Sequence, residues 1–198
     1  MKTAVPGLCH EGNVLVIEKG NLRFYGGGIA RGARPKDGWI VIDLAGEESC
    51  SPVTISGDLP FPRLATVGPS AVIQINWLDF GVPYLDRGFW EKLVADLEDI
   101  SAVRPTDVLV MCMGGHGRTG TALAILGSLL GVIPASECPV RWVRANYCQR
   151  AVETAQQALY VADITGREVS ELSAPHDPGW DTDMEEWARW FGHCGGLL

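Results

Sequence analysis

Apolar residues fall into short runs in the first half of the chain and into helical spacing in the second. Residues 13–17 (NVLVI) and 22–25 (LRFY) flank Lys19-Gly20-Asn21, a turn signal, and predict two strands joined by a tight turn. Residues 39–44 (WIVIDL) and 71–77 (AVIQINW) are rich in β-branched and aromatic side chains and predict two more strands. Prolines at 52, 60, 62 and 69 break any periodicity, so 51–70 reads as a connection within the domain. Phe89, Leu93, Val94, Leu97 and Ile100 recur three and four apart, which places them on one face of a helix over 87–100.

The pattern then changes. Residues 108–111 (VLVM) are apolar without alternation and follow the turn-forming Pro105-Thr106-Asp107, as a central strand buried on both faces requires. Residues 119–130 are apolar on nearly every side and predict a helix packed in the middle of the domain. Two more helices are predicted over 137–147 and 151–162, and a terminal one over 184–191. Thr182 and Glu185 would form its capping box, with Trp187, Trp190 and Phe191 as its packing face. Together these elements predict an α/β domain with a mixed central sheet flanked by helices.

The chain has 198 residues, 46% hydrophobic and 20% charged, which suits one domain over 1–198 with a well-buried core. A net charge of −8 argues against a large footprint for nucleic acid or anionic lipid, since such binding depends on Lys and Arg releasing counterions. The first 13 residues hold no continuous apolar stretch, and 121–135 is broken by Gly127, Gly131 and Pro134. Neither a secretory signal nor membrane insertion is therefore expected, and the chain reads as cytoplasmic. The six cysteines, at 9, 50, 112, 138, 148 and 194, form no C-x-x-C pair, so reduced thiols and no metal or cofactor are expected. Cys9-His10 and His193-Cys194 would form a metal site only if the termini converged; isolated surface residues are the simpler reading.

The chemistry concentrates in 108–126, VLVMCMGGHGRTGTALAIL, where a cysteine ends a buried strand and an arginine opens a buried helix. Gly114, Gly115 and Gly117 let the intervening loop curl with its N–H groups inward. The result is an anion-binding nest aligned with a positive helix N-terminus. The same potential stabilises a thiolate, which marks Cys112 as a nucleophile. Arg118 can grip two oxygens of a phosphoryl group with its planar fork, and the Thr119 hydroxyl can donate to the Cys112 sulfur. Met113 and His116 complete the loop, His116 as a substrate contact. A nucleotide P-loop would end Gly-Lys-Ser/Thr, whereas this one ends Gly117-Arg118-Thr119.

CMGGHGRTG resembles the Cys-x5-Arg-Ser/Thr signature of the cysteine-dependent protein tyrosine and dual-specificity phosphatase superfamily. That superfamily usually has a histidine before the nucleophile, where this chain has Met111, a change expected to modulate activity rather than abolish it. WLDFGVP at 77–83 resembles the mobile Trp-Pro-Asp loop with Leu78 in place of the proline. The resemblance makes Asp79 the general acid, with Asp86 the next candidate. YCQRAVETAQQ at 147–157 resembles the helix that positions the hydrolytic water, which singles out Glu153 and Gln157. Glu47 or Glu48 would pair with Arg118. The resemblance runs in order over about residues 39–162 and implies a protein tyrosine phosphatase-like fold.

The activity implied is metal-independent hydrolysis of phosphomonoesters through a phosphocysteine. The substrate would be a phosphorylated protein or a small phosphomonoester, phosphotyrosine first, then phosphoserine and phosphothreonine. A phosphoinositide or inositol phosphate phosphatase is the rival within the enzyme class. Such enzymes commonly carry lysines in the loop, here replaced by Met113 and His116, although Arg31, Arg34 and Lys36 would supply outlying charge. The rival of another class is a phosphoprotein-binding module without turnover, which Met111 alone favours.

Overall fold

The computed structural model describes residues 10–46, 53–57 and 70–169. Its strands are β1 (Val14–Lys19), β2 (Leu22–Gly28), β3 (Ile40–Gly46), β4 (Val53–Gly57), β5 (Ala71–Asn76) and β6 (Thr106–Cys112). They form one 6-stranded sheet in the order β1-β2-β6-β3-β5-β4. β2, β6, β3 and β5 run parallel, while β1 and β4 pair antiparallel at the two edges. Every strand predicted from the sequence is present. β4 is an addition within the stretch read as a connection, an edge strand facing Ala71 to Ile75 across an antiparallel ladder.

Among the described residues the α-helices are α1 (Arg87–Val103) and α2 (Gly117–Leu129), which pack on the sheet, and α3 (Pro139–Asn146) and α4 (Ala155–Thr165), which pack on α2. α1 buries Trp90, Leu93, Val94, Leu97 and Ile100, close to the stripe read from its spacing; Phe89 packs at the margin. Asp86 caps its N-terminus by accepting from the Phe89 N–H at 3.0 Å, which commits that carboxylate to the helix. α2 is buried all round, with Leu123, Ile125 and Leu126 fully enclosed against the sheet and α3 and α4. Each such side chain contributes about 1.5–3 kcal/mol of burial, which fixes the N-terminal end of α2 against the sheet.

α4 begins at Ala155, not at 151. Thr154 accepts from the Gln157 N–H at 3.2 Å, and the Gln157 amide oxygen accepts in return from Thr154 N–H, a capping box that sets the helix start. Val152, just ahead of it, holds φ 60, a left-handed conformation that a β-branched residue resists. Arg144 secures that turn by donating to the carbonyls of Ala151 at 3.0 Å and Val152 at 2.9 Å. The terminal helix over 184–191, its capping box, and Glu47 and Glu48 lie outside the described residues. Among the described residues, no helix is long and apolar enough to cross a membrane.

Candidate active site

Cys112 is the last residue of β6, and its parallel neighbours are strands whose C-terminal ends reach the same edge. The loop after it curls back on the sulfur: Gly115 N–H donates to Sγ at 3.2 Å. The Thr119 hydroxyl donates to the same sulfur at 3.1 Å, closer than its other acceptor, Gly27 O, at 3.4 Å. Two donors thus converge on one sulfur at the N-terminus of a buried helix.

The curl depends on glycines in β2 as well as in the loop. A Cβ at Gly28 would stand 2.6 Å from the backbone of Gly114, and Gly115 holds φ +77 with its own Cβ position 2.6 Å from Gly28 N. Neither position accepts a side chain. The loop after Cys112 is therefore cast against Gly27 and Gly28, a role their place in a strand does not signal. The Ala30 N–H adds a bond to Met113 O at 3.0 Å. Tyr147 donates its hydroxyl to Gly115 O at 2.6 Å. Burial, then the negative charge of Cys112, raise the Tyr147 phenol well above its ordinary range, so it remains a donor.

Arg118, the second residue of α2, is buried and aimed by backbone carbonyls: Nη1 donates to Leu44 O at 3.0 Å and to Trp77 O at 3.0 Å. Nη2 pairs with Asp79 Oδ1 at 3.1 Å. Nε is buried and makes no hydrogen bond among the described residues, which leaves it available to an oxygen in the plane of the fork. Asp79 is half exposed, in the loop after β5. That loop is held by Trp77, whose Nε1–H donates to Gly81 O at 2.8 Å, and by Thr154, which donates to Phe80 O at 3.1 Å. Phe80 holds φ 59, so residues in left-handed strain adjoin both Asp79 and Glu153.

Glu153 reaches the loop: its Oε2 lies against Gly117, whose N–H it accepts. Burial, then the Asp79 carboxylate, push Glu153 up to about 7 against the opposing pull of Gly117 N–H, Arg118 and Arg150. Gln157 sits beside it, fully buried, but its amide is engaged. The oxygen accepts from Glu153 N–H at 2.9 Å and Thr154 N–H at 3.3 Å, and the nitrogen donates to Gly81 O at 3.4 Å. Gln157 ties α4 to the Asp79 loop, and its amide, like the Glu153 carboxylate, lies against Gly117.

His116 is buried, with Nδ1 3.2 Å from Cys148 Sγ and its ring 4.8 Å from that of His10. Its side chain packs into this cluster, which corrects the expectation of a substrate contact through the ring. Burial first, then His10, Arg31 and Arg150, lower His116 to about 3; burial, then Arg31, lower His10 to about 4. His10 is likewise buried, contrary to its reading as a surface residue. Cys148 is disulfide-bonded, which corrects the expectation of uniformly reduced thiols; its partner sulfur lies outside the described residues. Cys112 is a free thiol. Arg34 is exposed, with Nη1 donating to Ile29 O at 3.0 Å and Ala33 O at 2.6 Å.

A four-stranded parallel centre with a cysteine loop running into a buried helix defines the protein tyrosine phosphatase fold, and the chain has that fold. TbPTP1, the protein tyrosine phosphatase of Trypanosoma brucei, superposes with TM-score 0.52 at 16% identity over 80% of this chain and 74% of that one. TcPTP1 of Trypanosoma cruzi gives TM-score 0.51 at 16% identity over 79% and 72%. In sequence, the chain is 40% identical over 95 residues to the uncharacterized protein MJECL20 of Methanocaldococcus jannaschii, and 36% identical over 95 residues to MJ0215 of the same organism. These matches take in 48% of this chain and 58% and 54% of the relatives, so the chain spans little more than half their length. No protein family profile matches the chain.

Proposed function

We propose that the chain is a cysteine-dependent phosphatase that hydrolyses phosphomonoesters, phosphotyrosine first, with phosphoserine and phosphothreonine as further substrates. The observation that carries this reading is the convergence of Gly115 N–H and the Thr119 hydroxyl on Cys112 Sγ, beside an Arg118 fork aimed by two carbonyls. The Cys112 sulfur attacks phosphorus as the P–O bond breaks, and Asp79 gives its proton to the leaving oxygen. Arg118 and the loop N–H groups not held by the sulfur or Glu153 stabilise the equatorial oxygens, which carry most charge in the transition state. Asp79, now ionised, takes a proton from a water beside Glu153. The hydroxyl oxygen bonds to phosphorus, the S–P bond breaks, and phosphate leaves with Cys112 again a thiolate stabilised by Thr119.

A phosphoryl group drawn to Arg118 competes with Asp79 for Nη2, so binding releases the carboxyl group toward the leaving oxygen. The exposed apolar side chains of Leu78 and Phe80, on either side of Asp79, support an aromatic leaving group over an inositol ring. The test is a phosphate-release panel run with chelator present: phosphotyrosine and phosphoserine/threonine peptides, phosphoinositides and RNA 5′-phosphates. Turnover of the tyrosine peptide fastest of all is the expected result. Release from the lipids alone would move the chain to the phosphoinositide class, and tight binding with no release would make it a recognition module.

A further inference from the structure

The buried cluster behind the phosphate loop has no part in that mechanism. A ring nitrogen of His10, a ring nitrogen of His116 and the Cys148 sulfur lie within 4.8 Å of one another, and all three residues are buried. Neither nitrogen of His10 has a partner in hydrogen-bonding geometry among the described residues, although the Gly114 backbone lies near enough to favour the protonated ring. A buried imidazole with both nitrogens unsatisfied is costly and calls for a partner.

We propose that His10, His116 and the reduced Cys148 bind a zinc ion behind the phosphate loop. Two imidazoles and a thiolate suit zinc and exclude magnesium or calcium, which take oxygen ligands. Tetrahedral zinc, with Zn–N about 2.0–2.1 Å and Zn–S about 2.3 Å, holds such atoms roughly 3.3–3.7 Å apart, so the cluster closes on the ion with a shift of about 1 Å. The His116 to Cys148 separation of 3.2 Å is already within reach. Water takes the fourth position.

The site competes with the disulfide of Cys148. A thiol reductant opens that bond by exchange: two electrons pass to the protein sulfurs, the reductant leaves as its own disulfide, and the Cys148 thiol gives up its proton on meeting zinc. Metal then takes the place of the disulfide at Cys148 and ties that sulfur to His116, and hence to the loop that follows Cys112. This inference stands apart from the proposed activity, because its readout is bound metal.

The test uses the full chain carrying Cys112→Ser, so that the loop thiol takes no metal. The protein is reduced with a phosphine, incubated with zinc, desalted and assayed for metal by mass spectrometry. One zinc per chain is expected in the reduced protein and none in the oxidised one. His10→Gln and Cys148→Ser should each weaken binding by more than about 100-fold, since even outer-shell partners of a metal are worth about 10–100-fold. Cys138→Ser should bind as the parent does. Should Cys148→Ser fail to fold, cobalt(II) in the reduced parent must show thiolate-to-metal charge transfer that His10→Gln lacks. No retained zinc, retention unchanged in both variants, or a cobalt spectrum without the thiolate band overturns the proposal.

Discussion

Oδ1 of Asp79 lies 3.1 Å from Nη2 of Arg118, which pairs the proposed acid with the proposed phosphate clamp. The two come from distant parts of the chain, the loop after β5 and the first turn of α2, and meet because Arg118 also bonds the carbonyls of Leu44 and Trp77.

Arg118→Lys should lose most activity although it keeps the charge. A lysine ammonium is a point donor and cannot hold two carbonyls, a carboxylate and a phosphoryl oxygen in one plane. The check is kcat/KM on an aryl phosphate, and near-parent turnover would remove Arg118 from the mechanism.

Asp79→Asn should slow alkyl and ordinary phenyl phosphates by about 10²–10⁴-fold, the usual contribution of a general acid. An aryl phosphate with a strongly acidic phenol should suffer far less, because its oxygen leaves without a proton. The basic limb of the pH profile should flatten. An equal loss for good and poor leaving groups would show that Asp79 shapes the site instead, and with Asp86 committed to the cap of α1 the acid would then fall to Glu153.

Glu153 holds its proton up to about 7 in the folded chain against an ordinary value of 4.5. Between those values the folded state binds more protons than the unfolded one, so stability falls as pH rises. The contribution is complete below about 4.5 and lost through about 7. Glu153→Gln removes the titration, so its stability relative to the parent should grow by about 1–3 kcal/mol from pH 5 to pH 8 in urea unfolding. A constant difference across that window would assign the titration to another group.

Much of the site was legible because its parts are contiguous. VLVM followed by Cys112, three glycines and Arg118 encodes a buried strand, a tight turn and a helix start within one stretch, and the structure has a strand ending at Cys112 and a buried helix opening at Gly117. β4 was hidden because an edge strand is set by its ladder with β5, while the neighbouring prolines signal a loop. The role of Gly28 was hidden because the atoms that forbid a side chain there belong to Gly114, far away in sequence. His116 misled for the opposite reason: its place in the loop suggests a ligand contact, yet a tight loop turns its backbone inward and sends this side chain to His10 and Cys148. Gln157, singled out for water, also closes the capping box of α4, a bond set by its spacing from Thr154.

Gly28→Ala tests the cast on which the loop is formed. Its methyl group would stand 2.6 Å from Gly114 C and O, backbone atoms that cannot swing aside as a flexible side chain would. The variant should lose the Gly115 to Cys112 bond and most activity while remaining folded by circular dichroism. Parent-like kcat would show that the loop closes without this packing.

The central claim is that Cys112 carries the phosphoryl group. Parent protein and Cys112→Ser are mixed with a fast aryl phosphate, quenched in acid within the first turnover, digested and examined by peptide mass spectrometry. The account predicts one added phosphoryl group on the peptide containing Cys112 in the parent, and neither adduct nor phosphate release in Cys112→Ser. Phosphate release by Cys112→Ser at the parent rate would contradict it.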